Sequence, residues 1–270
     1  MNHIEEYKQR NLKACQSIQL EILKTVTAIC DKHNFTYWLD GGTLLGAIRH
    51  GGFIPWDDDI DIIMPMADYK KFLEIAQREF PDNLFLQTPE NEPTMPFLFS
   101  KVRRTDSLYV EFSDDFTQPY NKGIYIDIFP FDDYPTRILP LTRKVADYWA
   151  KSTGILRYKK PLGWRSCAEF LFFSITKFAM SMLWKLILAM GGKGEYIGCY
   201  PVNTNRHGYM HRIKTVYPLK EILFEGVPFA CPNDTDAYLK EYYNDYMQIP
   251  SEEDRMIHAS FFASKEMKWE

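Results

Sequence analysis

The chain has 270 residues, 46% hydrophobic and 25% charged, enough for one large domain with an elaboration around a true core. Its formal net charge of −4, with both signs spread along the whole length, excludes a nucleic-acid binder with a basic face, so any nucleotide is expected as a small molecule. Five widely spaced cysteines (Cys15, Cys30, Cys167, Cys199 and Cys231) with no CxxC pair argue against a disulfide framework; with no apolar leader in MNHIEEYKQR, a cytoplasmic location is expected.

In chain order, Leu12, Cys15, Ile18, Ile22, Val26 and Ile29 recur at steps of three and four, which predicts a helix with one apolar stripe. TYWLD reads as a short strand ended by Gly41 and Gly42, and Thr43 as the cap of a helix over 44–50. IDIIM is a second strand stopped by Pro65, and ADYKKFLEIAQREF an amphipathic helix with Tyr69, Phe72, Leu73, Ala76 and Phe80 inward. FLFSKV, SLYVEF and GIYIDIF supply three more strands, so the first 130 or so residues form a mixed α/β unit. Residues 170–190 are long and apolar enough for a membrane span, but Ser174, Lys177, Ser181 and Lys185 form a polar stripe on a helix. The favoured expectation is packing against the α/β unit; a helix lying in a membrane surface is the second. Short strands follow around 217, 222–224 and 227–230, then a helix over about 234–246.

The run WDDDIDIIM carries the chemistry. Side chains alternate along a strand, so Asp59 and Asp61 share one side, Asp57 follows the same alternation, and Ile60 and Ile62 point to the core. Asp58 points the other way and is expected to be structural. Two neighbouring carboxylates stay ionised together most readily around a divalent cation with oxygen ligands, Mg²⁺ or Mn²⁺. Gly41, Gly42 and Thr43 open a helix whose free N–H groups suit a phosphate. Asp127, central in the apolar GIYIDIFPF, is costly to ionise unless it too meets a cation, and it fits the same shared site.

The string DGGTLLGAIRHGGFIPWDDDIDI, continued by GIYIDIFPFD and YLKEYYNDYMQIPSEEDRMIH, resembles the LicD family of phosphocholine transferases, to which fukutin-type alditol-phosphate transferases are related. The resemblance touches both ends of the chain and is vague over 135–215. It implies an α/β (α+β) nucleotidyltransferase-like mixed sheet flanked by helices. The expected divisions are a catalytic core over 1–135, a helical aromatic-rich insertion over 136–195 and a C-terminal, acceptor-side elaboration over 196–270. The implied reaction moves a phospho-alcohol from CDP-choline or another CDP-alcohol to a hydroxyl of a surface glycan (lipopolysaccharide, teichoic acid or capsule precursor) and releases CMP. A lipid-linked acceptor would bring the protein to the inner face of the cell membrane as a peripheral partner.

Within that expectation Asp59, Asp61 and Asp127 are the catalytic and metal residues, and Gly41, Gly42, Thr43, Arg49 and Lys101 bind the nucleotide phosphates. Asp127 is open to a second role, accepting the acceptor's proton. Trp56 is read as packing before base stacking, and Tyr246 and His258 as either acceptor-side or packing residues. His207 and His211 with Cys199 nearby lack a fourth ligand for zinc. The alternatives are nucleotidyl transfer with pyrophosphate release and a nucleotide-binding scaffold without turnover.

Overall fold

A computed structural model of the protein describes residues 3–95, 97–112, 114–136, 139–158, 163–191, 194–199 and 210–269. In chain order the elements are α1 (His3–His33), β1 (Trp38–Leu39), α2 (Gly41–His50), β2 (Asp61–Pro65), α3 (Met66–Glu79), β3 (Leu84–Gln87), β4 (Ser100–Arg104), β5 (Ser107–Glu111) and β6 (Tyr125–Tyr134). Then come α4 (Leu139–Tyr158), α5 (Trp164–Gly191), β7 (Tyr196–Cys199), β8 (Met210–Arg212) and α6 (Ile213–Val216). The chain closes with β9 (Lys220–Phe224), β10 (Val227–Cys231), α7 (Thr235–Tyr243), a 3₁₀ turn (Glu252–Asp254) and β11 (Ala259–Ser264). The class is the expected α/β, a sheet flanked by helices. Two compact units result, Met1–Pro130 with Tyr217–Glu270, and Phe131–Val216, against the sequence boundaries at 135/136 and 195/196.

In the first unit the strand order is β1-β2-β6-β4-β3. Central β2 is walled by Ile62, Ile63 and Met64, all fully buried, as expected for a strand covered on both faces. The strand begins at Asp61, so Asp59 and Ile60 precede it rather than lie within it. The six stripe residues of α1 are buried, and so are two of its polar residues that turn back onto the acidic run. Gln16 donates to the Asp57 carbonyl at 2.7 Å and Gln19 to the Asp58 carbonyl at 2.5 Å. The same helix ties down the C-terminal segment: Lys8 Nζ donates to the Ala259 carbonyl at 3.0 Å, and Asn11 exchanges hydrogen bonds with the Lys268 backbone. β11 pairs antiparallel with β5, bringing residues 259–264 beside 107–111.

Helix α2 starts three residues earlier than Thr43 as its cap would dictate. Gly41 is its first residue, and Thr43 sits inside the helix, where its hydroxyl accepts the Asp61 N–H at 2.9 Å instead of capping. That contact fixes the helix to the first residue of β2.

In the second unit residues 131–134 of β6 pair antiparallel with β7, and β7 with β8. Helices α4 and α5, joined by five residues, pack side by side over Tyr134, Val145, Ala146, Trp184 and Ile187. Trp184 and Ile187 are the only α5 residues buried among those described; Leu171, Phe172, Ile175, Phe178, Met182 and Leu186 are exposed. Within this unit α4 covers one narrow strip of the helix's apolar surface. His211 is buried with its ring against Phe131, and His207 lies outside the described residues.

Candidate active site

The acidic run reaches its place through backbone held from behind by α1 and closed by a turn in which the Asp57 N–H donates to the Ile54 carbonyl at 2.9 Å. Asp57, Asp59 and Asp61 line one wall of a cleft of about 530 Å³. Asp58 turns away and is fully buried. Its carboxylate accepts the Tyr109 hydroxyl at 2.8 Å and the backbone N–H groups of His258 and Ala259 at 2.8 and 2.9 Å, a structural anchor by its contacts.

The double glycine makes room for this wall. A Cβ on Gly42 would stand 2.7 Å from an Asp57 carboxylate oxygen, and one on Gly41, whose φ is +50°, 3.1 Å from Asp61 Oδ2. Two carboxylates thus lie against the start of α2, where unpaired N–H groups carry partial positive charge. Burial pushes the Asp57 and Asp61 carboxyls well above the usual carboxylate range; repulsion from Asp59 adds to both, and Asp61 also feels Asp127 and Asp40. Asp59 is raised by burial too, with His258 acting against the shift.

His258 is the cationic counterpart in the cluster. Its Nδ1 stands 3.3 Å from Asp58, 3.7 Å from Asp59 and 3.8 Å from Asp57, and the imidazole is pushed up to about 9, first by hydrogen bonding to Asp58 and then by the charges of its neighbours. Asp57, Asp59 and His258 can each offer a ligand atom within 4.8 Å of the others. Oxygen donors with one imidazole, crowded enough to repel, fit a hard or borderline divalent cation.

The opposite wall comes from the C-terminal residues. Tyr243, Tyr246, Asp254 and His258 line it together with Arg49 and Trp56. The Arg49 guanidinium donates to the Tyr246 carbonyl at 3.1 Å, and Arg255 stands 4.6 Å over the Trp56 ring, so Trp56 is packed on one side while it faces the cleft. The Tyr243 hydroxyl is raised by burial and by the charges of Asp40 and Asp61. Tyr243 was not singled out in the sequence; the aromatic run YLKEYYNDY was the available signal, but α7 ends at Tyr243 rather than near Tyr246, and that end sets which ring faces inward.

Asp127 and Lys101 form a separate buried pair. They are register partners on β6 and β4, their side chains meet at 2.8 Å, and Lys101 also sits 3.4 Å over the Tyr125 ring with Glu111 at 3.7 Å. Burial raises the Asp127 carboxyl to about 7 against the opposing pull of Lys101. Neither residue lines the cleft. Lys101, 1% exposed, is the counter-ion of Asp127. Asp127 abuts the acidic run through its backbone, its N–H donating to the Ile60 carbonyl at 2.8 Å.

Residues 34–173 match the LicD/FKTN/FKRP nucleotidyltransferase domain, a span that contains both glycines, the acidic run and Asp127. The chain belongs to this family. Among its relatives, the lipopolysaccharide cholinephosphotransferase LicD of Haemophilus influenzae is 27% identical over 261 residues, covering 93% of this chain and 97% of that protein. The ribitol 5-phosphate transferase FKRP of Mus musculus is 28% identical over 121 residues, 45% of this chain but 21% of that protein. The family is thus one that includes transferases of cholinephosphate and of ribitol 5-phosphate.

Proposed function

We propose that the protein transfers phosphocholine, or a related phospho-alcohol, from a CDP-alcohol to a hydroxyl of a cell-surface glycan and releases CMP. The observation that carries this reading is the convergence of three aspartates and His258 on one cleft, in a chain that matches a cholinephosphotransferase over nearly its whole length. Asp57, Asp59 and His258, with Asp61 beside them, would hold Mg²⁺ or Mn²⁺, which when bound neutralises charge on the phosphoryl oxygens. The chain's own groups then have defined tasks. Arg49, on the cleft wall, holds phosphate oxygens of the donor. A carboxylate of the cluster takes the proton of the acceptor hydroxyl as the acceptor oxygen bonds to phosphorus and the phosphorus–oxygen bond to CMP breaks. Asp127, outside the cleft and paired with Lys101, bears on Asp61 through its charge alone. Tyr243 and Tyr246 line the cleft where the donor's alcohol would lie, and aromatic rings there suit a quaternary ammonium.

The test is incubation of the purified chain with Mg²⁺, a glycan acceptor and a panel of CDP-choline, CDP-ribitol and CDP-glycerol, following CMP by chromatography. CMP formation that depends on both acceptor and one CDP-alcohol is expected. Pyrophosphate released from CTP and a phosphorylated acceptor would replace this assignment with nucleotidyl transfer, and an inert panel would overturn it.

A further inference from the structure

Helix α5 presents an apolar ridge that nothing in its own unit covers. Leu171, Ile175, Phe178, Met182 and Leu186 are 42–66% exposed, and at 3.6 residues per turn they fall within about 80° of the helix circumference. Trp164, 81% exposed, continues the ridge at the start of the helix, which extends it to roughly 33 Å. Five large apolar side chains on one line exceed the scattered exposure normal for a soluble surface. Only 11% of the most apolar stretch of this helix is buried.

The charge around the ridge identifies the occupant. Residues 139–191 contain nine lysines and arginines against two acidic residues, Asp147 and Glu169, a net charge of +7 in a chain whose total is −4. The remainder of the chain is therefore at −11. On a helical projection Lys185 and Arg165 fall on opposite flanks of the ridge, where long cationic side chains reach from an apolar surface to anionic headgroups. A second copy of the chain would bring two such +7 segments together, which disfavours a dimer through this ridge.

The helix is long and apolar enough to cross a bilayer, but its setting opposes that. α4 runs alongside it, and both ends of the excursion return to paired strands, Tyr134 of β6 lying opposite Tyr196 of β7. A spanning α5 would carry α4, with Arg143, Lys144, Asp147 and Lys151, into the hydrocarbon. We propose that the α4–α5 hairpin is a docking surface for an anionic phospholipid bilayer, with α5 lying in the interface along its Leu171-to-Leu186 ridge. The proposal is independent of donor and acceptor.

The full chain is tested by flotation with vesicles of phosphatidylcholine alone and of phosphatidylcholine with 30% phosphatidylglycerol. Binding is expected to the anionic vesicles, at least about ten-fold tighter than to the neutral ones and weakened by salt, with a blue shift of tryptophan emission. The triple variant Leu171→Gln, Phe178→Gln and Met182→Gln, confined to exposed positions, should keep the parent's circular dichroism and melting curve and lose at least about ten-fold in vesicle affinity. Lys185→Glu, again at an exposed position, should weaken binding to the anionic vesicles alone. A parent that ignores anionic vesicles, a triple variant that binds as the parent does, or a ridge-dependent dimer in sedimentation with no vesicle binding would each overturn the proposal.

Discussion

A methyl group at position 42 would meet the Asp57 carboxylate at 2.7 Å, closer than real Cβ atoms approach an oxygen. Gly42→Ala is therefore expected to leave α2 at least as stable, since alanine favours a helix over glycine by about 1 kcal/mol, while displacing one carboxylate of the acidic wall. CMP release should fall by at least about ten-fold with the melting temperature held or raised. Parent-like turnover would show that the close approach does not matter. At this scale much of the site was legible, because strand alternation is a local rule: it put Asp57, Asp59 and Asp61 on one side and Asp58 on the other, although only Asp61 lies in the strand itself. What alternation cannot reveal is a partner brought in by sheet register. Lys101 stands 26 residues from Asp127, and its pairing across β4 and β6 makes it a buried counter-ion that sequence proximity does not reveal.

Asp58 joins elements distant in sequence. Its carboxylate binds Tyr109 on β5 and the backbone at the start of β11, and its carbonyl receives Gln19 from α1. An asparagine there presents an NH₂ group where donors already converge, so Asp58→Asn should cost about 3 kcal/mol, read as a lowered denaturant midpoint. Asp61→Asn should do the reverse, removing a crowded charge and leaving stability unchanged or higher while turnover collapses. A loss below about 1 kcal/mol for Asp58→Asn would rule out the clamp. Elements whose signal is their own periodicity, α1 and α3, were readable beforehand. β3 was not, being four residues long, and neither was the β5–β11 pairing, whose partners lie some 150 residues apart. Periodicity leaves α5 open, since an apolar circumference does not say whether protein or lipid will cover it.

Over the whole molecule, charge concentrates where Asp57, Asp59 and Asp61 line the cleft, and two added charges can offset them there: a proton on His258 or a bound cation. The two respond oppositely to pH. His258 is raised to about 9, so in chelator its contribution to stability is full below its ordinary value near 6.5 and is lost as pH rises through about 9. The raised Asp57 and Asp61 act in the same direction, because holding them ionised in the fold costs more as the unfolded chain ionises freely. A cation reverses this, since its ligands must shed their protons and it binds more tightly as pH rises. The chain in EDTA should therefore lose melting temperature between about pH 6.5 and 9. Mg²⁺ or Mn²⁺ at a hundred-fold excess over its Kd should restore about 2.7 kcal/mol, several degrees, with a larger increment at pH 8.5 than at pH 6. Asp59→Asn should keep the folded state and lose most of that increment. A melting temperature indifferent to both metals at pH 8.5 would leave the aspartates to the protein's own cations, His258 foremost, and remove the metal from the proposed reaction.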